Sequence, residues 1–156
     1  MLKTSSSAPP FTLPDQDGTP VTLSGLLQGG ALILYFYPAD FTPGCTREAC
    51  SIRDLHDQIL ATGLRVVGVS PQSTDSHRQF RERYALPFPL LSDADKAVIK
   101  AYDVNGPLGF GVRRATFLIG TEGRIEAAVL ADLKIAEHEQ FIREALRLRS
   151  ARSPGT

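Results

Sequence analysis

Cys45 and Cys50 stand five residues apart in the stretch TPGCTREAC and are the chain's only thiols. A thiolate can attack an electrophile, exchange with a disulfide or bind a soft metal. The three histidines, His56, His77 and His138, are scattered without ligand spacing, so no metal site is expected. Burial as a small hydrophobe is the alternative for Cys45, and an inward-facing core position is the alternative for Cys50.

The residues before Cys45 read as a helix start. Thr42 can be the N-cap, and Pro43 suits the first helical position because its missing N–H would be unpaired there anyway. A sulfur at the third helical position meets free backbone N–H groups and the positive end of the helix dipole, which favour a thiolate. Ionisation by itself is a modest lever. A thiol of pKa ~8.5 is already ~3% ionised at neutral pH, so full ionisation gains ~30-fold, or ~2 kcal/mol. Enzymes typically supply ~8 kcal/mol or more. A fixed cation and hydrogen-bond donors are therefore required, and the cation must come from elsewhere in the chain.

The spacing of the thiols carries a second constraint. On a continuous helix, five residues separate two Cα atoms by ~8.6 Å on faces ~140° apart. A disulfide needs less than about 7 Å. Pairing of Cys45 with Cys50 requires the first helical turns to unwind.

The surrounding pattern alternates strand and helix. Apolar ALILYFY from Ala31 precedes a helix to Leu60, and a strand follows at Leu64 to Ser70. Ser73 to Tyr84 reads as a helix ended by Pro87 and Pro89, then come a short strand to Ser92, a helix over Asp93 to Tyr102 and a loop over Asn105 to Gly111. Arg113 to Ile119 and Arg124 to Leu130 flank a four-residue turn as a hairpin, and an amphipathic helix runs from Ile135 to Leu148. Successive strand residues face opposite ways, so only one of Arg113 and Arg114 can face the site, and Thr116 shares the face of Arg114. This order is that of an α/β fold with one domain over residues 1–156 and a loosely held lead-in over 1–7.

Composition excludes several classes. Lys plus Arg and Asp plus Glu both number 17, leaving no net field to draw the chain to nucleic acid or an anionic membrane. The apolar run from Ala31 to Phe36 is far short of the ~18 residues of a membrane span. The N-terminus has no continuous apolar targeting region, so the cytoplasm is expected, a compartment where paired cysteines are more often catalytic or metal-binding than structural.

PADFTPGC, from Pro38 to Cys45, resembles the peroxiredoxin active-site pattern of Pro, Thr and Cys, and Cys50 resembles the second cysteine of the bacterioferritin comigratory protein and peroxiredoxin Q subgroup. The likeness extends through APPFTLPDQDG (Ala8 to Gly18) and RATFLIG (Arg114 to Gly120). It implies a thioredoxin-like fold, a central mixed β-sheet flanked by helices, with a peroxiredoxin N-terminal extension. It further implies that Cys45 attacks a hydroperoxide and becomes a sulfenic acid, that Cys50 resolves this to an intramolecular disulfide, and that thioredoxin or a glutaredoxin-like reductant restores both thiols. By the same resemblance Arg114 supplies the cation, Thr42 serves the reaction, Pro38 shields the pocket and Glu48 supports through hydrogen bonds. No cofactor is implied, and members of the subgroup are monomers or dimers.

Two other functions fit a pair of thiols. A dithiol oxidoreductase or copper-handling protein usually carries closer cysteines, C-x-x-C or C-x-x-x-C, than the C-x4-C of this chain. A redox-sensing interaction module would use the same chemistry with little turnover.

Overall fold

The computed structural model describes residues 1–109, 111–132 and 134–152; Phe110, inside the expected loop, and the last four residues lie outside them. The elements in order are β1 (Thr12–Pro14), β2 (Pro20–Thr22), α1 (Leu23–Leu27), β3 (Leu32–Phe36), α2 (Pro43–Ala61), β4 (Arg65–Ser70), α3 (Thr74–Tyr84), β5 (Leu90–Ser92), α4 (Ala97–Ala101), β6 (Ala115–Ile119), β7 (Ile125–Leu130) and α5 (Ile135–Arg152).

Five strands form the central sheet in the order β5-β4-β3-β6-β7. β3, β4 and β5 run parallel, while β6 is antiparallel to β3 and β7 to β6. The buried β3 residues all lie at the centre, which is why this strand reads as a continuous apolar run rather than an alternating one. Its even-numbered residues, Leu32, Leu34 and Phe36, join a core with α1 and α4. Ile33, Tyr35 and Tyr37 join the opposite core, where α2, α3 and α5 supply Ile52, Ile59, Phe80 and Ile142. Helices thus cover both faces in a thioredoxin-like arrangement.

The structure adds contacts and short elements in the N-terminal region and moves one helix boundary. The lead-in is tied down: Ser5 N–H donates to the Ile125 carbonyl at 2.7 Å, and Ile125 N–H donates to the Ser6 carbonyl at 2.9 Å. The N-terminal extension contains the β1–β2 hairpin and α1, elements of only three to five residues whose weak apolar patterning hides them in sequence. Their turn has a local cause, since Asp15 Oδ1 accepts from the N–H groups of Asp17 and Thr19, and Gly18 supplies a φ of 80°. The helix expected from Asp93 begins instead at Ala97, because the Asp93 carboxylate accepts from Val98 and Ile99 N–H at 3.3 and 2.7 Å and so occupies the helix entrance.

Candidate active site

The site is built where β3 hands over to α2. Between them Phe41 takes a φ of 65°, a left-handed conformation unusual for a bulky residue, and its ring packs on Phe80 and Tyr84. This reversal turns Asp40 inward. Asp40 Oδ1 accepts from Tyr37 Oη at 2.6 Å, and Oδ2 accepts from Ser76 Oγ at 2.7 Å. His77 Nδ1 also lies 2.7 Å from Oδ2, with Nε2 3.0 Å from the Leu91 carbonyl. The turn that delivers α2 is thereby fastened to α3 and β5.

Thr42 occupies the N-cap position and Pro43 starts the helix, as the residue types dictate. The expected side-chain cap is absent: the Thr42 hydroxyl donates back to the Ala39 carbonyl at 3.1 Å, which takes it off the helix. The first bond of the helix ladder runs from Thr46 N–H to the Thr42 carbonyl at 2.8 Å, leaving Cys45 N–H at the open end of the helix.

Cys45 is the third helical residue and only 1% exposed. Arg114 reaches it across the sheet. β6 alternates, with Ala115, Phe117 and Ile119 in the core against α1 and α4, so Arg114 and Thr116 face α2. Arg114 Nη2 donates to Cys45 Sγ at 3.3 Å, and Nη1 donates to Glu48 Oε1 at 2.7 Å. Arg113 points the other way and pairs with Asp132 at 2.9 Å. Gly44 permits the close approach, since a Cβ on it would come 3.2 Å from Arg114 Nη2.

Burial opposes the charge of Arg114, but Glu48 and Cys45 more than restore it and hold the guanidinium above its usual range. Burial acts harder on Glu48, pushing its carboxyl up to about 7 despite the charge and hydrogen bond of Arg114. Pro38 and Arg114 line a neighbouring pocket of about 460 Å³ with Pro107, Val112 and Asp132. Cys50, half-buried, lies on the same unbroken helix as Cys45 but off its buried stripe of Cys45, Glu48, Ala49, Ile52, Leu55 and Ile59; both cysteines are free thiols.

Two groups of partners are not foreseen from sequence. One is the Asp40–His77 pair. The other stands behind Glu48, where His138 Nδ1 lies 3.6 Å from Glu48 Oε2 and 2.8 Å from Thr116 Oγ1. A signal for His138 existed: with Ile142 and Ala145 it forms a buried i, i+4, i+7 stripe on α5.

A mixed sheet with a buried thiol at a helix N-terminus, faced by a guanidinium, defines a thiol-reactive site on a thioredoxin-like fold. The chain belongs to the AhpC/TSA family, whose model matches residues 4–128. It is 40% identical to peroxiredoxin Bcp of Escherichia coli K12 over 147 residues, covering 90% of this chain and 93% of that protein. The crystal structure of peroxidoxin BcpB from Mycobacterium tuberculosis matches with a TM-score of 0.88 and 37% identity, covering 95% of this chain and 98% of that one. A structure of the bacterioferritin comigratory protein of Xanthomonas campestris, described with its alkyl peroxide reduction activity, matches with a TM-score of 0.81 and 34% identity over 88% of this chain and 90% of that one. Peroxiredoxins are thiol peroxidases, and thiol-dependent peroxidase activity is the activity of this chain.

Proposed function

We propose that Cys45 reduces hydrogen peroxide and small organic hydroperoxides and that Cys50 resolves the product. The observation that carries this reading is the 3.3 Å contact between Arg114 Nη2 and Cys45 Sγ. The Cys45 thiolate attacks the terminal oxygen of the hydroperoxide. A sulfur–oxygen bond forms, the O–O bond breaks, and the departing oxygen leaves as an alcohol or water after taking a proton. Negative charge moves from sulfur to that oxygen, and Arg114, already beside the sulfur, is placed to follow it. The Cys45 N–H adds a donor. Thr42 keeps lone pairs free to accept from the hydroperoxide O–H, because its own proton is given to Ala39. Pro38 borders the pocket that leads to the guanidinium. The likeness to the Xanthomonas campestris protein supports alkyl hydroperoxides among the substrates.

In the second step the Cys50 thiol attacks the Cys45 sulfenic acid, a disulfide forms and water leaves. A dithiol protein such as thioredoxin or a glutaredoxin-like reductant then reduces the disulfide by exchange and becomes oxidised in turn. The working form is a cytoplasmic monomer or weak homodimer that needs no cofactor.

Intact mass and free-thiol counts after one equivalent of hydrogen peroxide test the scheme. The unsubstituted chain is expected to lose two hydrogen atoms and both thiols within one molecule. Cys50→Ser should gain one oxygen and stall, and Cys45→Ser should not react. Rapid oxidation of Cys45→Ser at the rate of the unsubstituted chain would sink the assignment.

A further inference from the structure

His138 sits at the N-terminal end of α5, 1% exposed, and has no place in the peroxide chemistry of Cys45 and Cys50. Its Nε2 lies 2.8 Å from the Ala131 carbonyl, a group that only accepts, so Nε2 carries a proton. In the neutral ring Nδ1 is then an acceptor, and the Thr116 hydroxyl, 2.8 Å away, has one proton to give it. Glu48 Oε2 lies 3.6 Å from Nδ1, close enough for charge to act but beyond a hydrogen bond. Among the described residues that buried carboxylate oxygen has no hydrogen-bond donor. Two buried acceptors side by side are unfavourable, and one additional proton bound by either group relieves the conflict.

We propose that His138 is a positioning residue, that the imidazole of His138 and the carboxyl of Glu48, buried side by side, hold one proton as a coupled pair, and that this proton decides how the charge of Arg114 is divided between Glu48 and Cys45. With the proton bound, the negative charge of Glu48 toward Arg114 is cancelled, on the carboxyl itself or by the imidazolium beside it, and the guanidinium is left to the Cys45 sulfur. When the proton leaves, the Glu48 carboxylate competes for the same guanidinium through Nη1. The inference rests on the reading of Arg114 as the cation of the peroxidase site.

Burial moves the two affinities in opposite directions. Burial raises Glu48 to about 7 and lowers His138 from its usual range. Other charges face the pair from each packed element. Cys45 belongs to α2, and Arg114 precedes β6. Asp132, held below the usual carboxylate range by its bonds to Arg114 N–H and Arg113, comes from the turn before α5. Glu137 lies on α5 beside Lys134. The Tyr35 phenol on β3 is pushed well up by burial and stays neutral through this range.

The test is nuclear magnetic resonance of the His138 ring nitrogens and the Glu48 side-chain carboxyl carbon, recorded against pH on reduced Cys50→Ser protein. The two residues are expected to titrate in one common step near neutral pH, and Glu48→Gln should abolish the step at Nδ1. His138→Gln, which replaces a lone pair with amide donors, should move the Glu48 step toward acid by about one pH unit, a shift within the range set by neighbouring hydrogen bonds. The pH profile of Cys45 oxidation by hydrogen peroxide should move with it. A flat Nδ1 signal across the step of Glu48, or an Nδ1 step unchanged in Glu48→Gln, overturns the shared proton. The resonance measurement uses no peroxide and, for its main arm, no substitution at His138. It therefore decides the proposal even if Cys45 proved unreactive, a result that would instead overturn the peroxidase reading.

Discussion

Arg114 Nη2 stands 3.3 Å from Cys45 Sγ, while Nη1 of the same side chain stands 2.7 Å from Glu48 Oε1. One planar guanidinium spans both groups because its two terminal nitrogens are held in a fixed fork. Arg114→Lys keeps the charge but cannot reproduce the fork. The expected outcome is a fall of about 100- to 1000-fold in the second-order rate of Cys45 oxidation, the range seen when one preorganised transition-state donor is lost. Stopped-flow oxidation of the reduced protein measures it.

Gly44 separates stability from activity. Alanine in a helix is ordinarily about 1 kcal/mol more favourable than glycine. The added Cβ here would come 3.2 Å from Arg114 Nη2, a contact that requires the guanidinium to shift. Gly44→Ala should therefore leave the melting temperature level or higher and slow Cys45 oxidation. An unchanged oxidation rate would mean that the position of Arg114 is not limiting.

The two thiols lie on a continuous α2, where ideal geometry holds their Cα atoms ~8.6 Å apart. A disulfide brings Cα atoms within about 7 Å. Oxidation to the Cys45–Cys50 disulfide should open the first turns of α2 and increase amide hydrogen exchange from Cys45 to Cys50, leaving Ile52 to Ile59, buried against the sheet, protected. Unchanged exchange in the oxidised protein would exclude the unwinding.

Glu48 gives stability a definite pH dependence. Its carboxyl titrates at about 7 in the fold against 4.5 when free, so between those values the folded state binds a proton that the unfolded state has lost. Its contribution is fully present below 4.5 and is lost as pH rises through 7. His138, lowered by burial, has the opposite sign, and its contribution is lost as pH falls below its usual range. The melting temperature of the reduced protein relative to Glu48→Gln should decline from pH 4.5 to 7. A constant difference would contradict the elevated carboxyl.

Asp40 and His77 are both fully buried and 2.7 Å apart. Asp40→Ala would strip His77, Tyr37 and Ser76 of a shared acceptor. Loss of one partner of such a pair costs about 3–5 kcal/mol. Urea denaturation should register that loss, and Cys45 oxidation should slow because the turn carrying Thr42 is no longer fastened to α3 and β5.

Local chemistry makes much of this protein legible in its residue order. The apolar run at β3, the Thr-Pro-Gly start of α2 and the alternation that separates Arg113 from Arg114 all follow from backbone geometry acting over a few residues; they place Cys45 at the start of α2, while the choice of Arg114 over Arg113 comes from the resemblance to peroxiredoxins and its 3.3 Å approach to Cys45 from the tertiary structure. The consequence of the five-residue thiol spacing likewise follows from helix pitch alone. Short-range pattern fails where the determining partner is remote. Thr42 reads as a side-chain cap, yet its hydroxyl turns to Ala39. The β1–β2 hairpin and α1 are too short to show a period. His77 and His138 look ordinary until tertiary packing places one 2.7 Å from Asp40 and the other 3.6 Å from Glu48. Their meaning lies in sheet register and helix docking that join residues dozens of positions apart, and in the burial that makes each hydrogen bond or its absence consequential; neither distance nor desolvation is written in the spacing of a single segment.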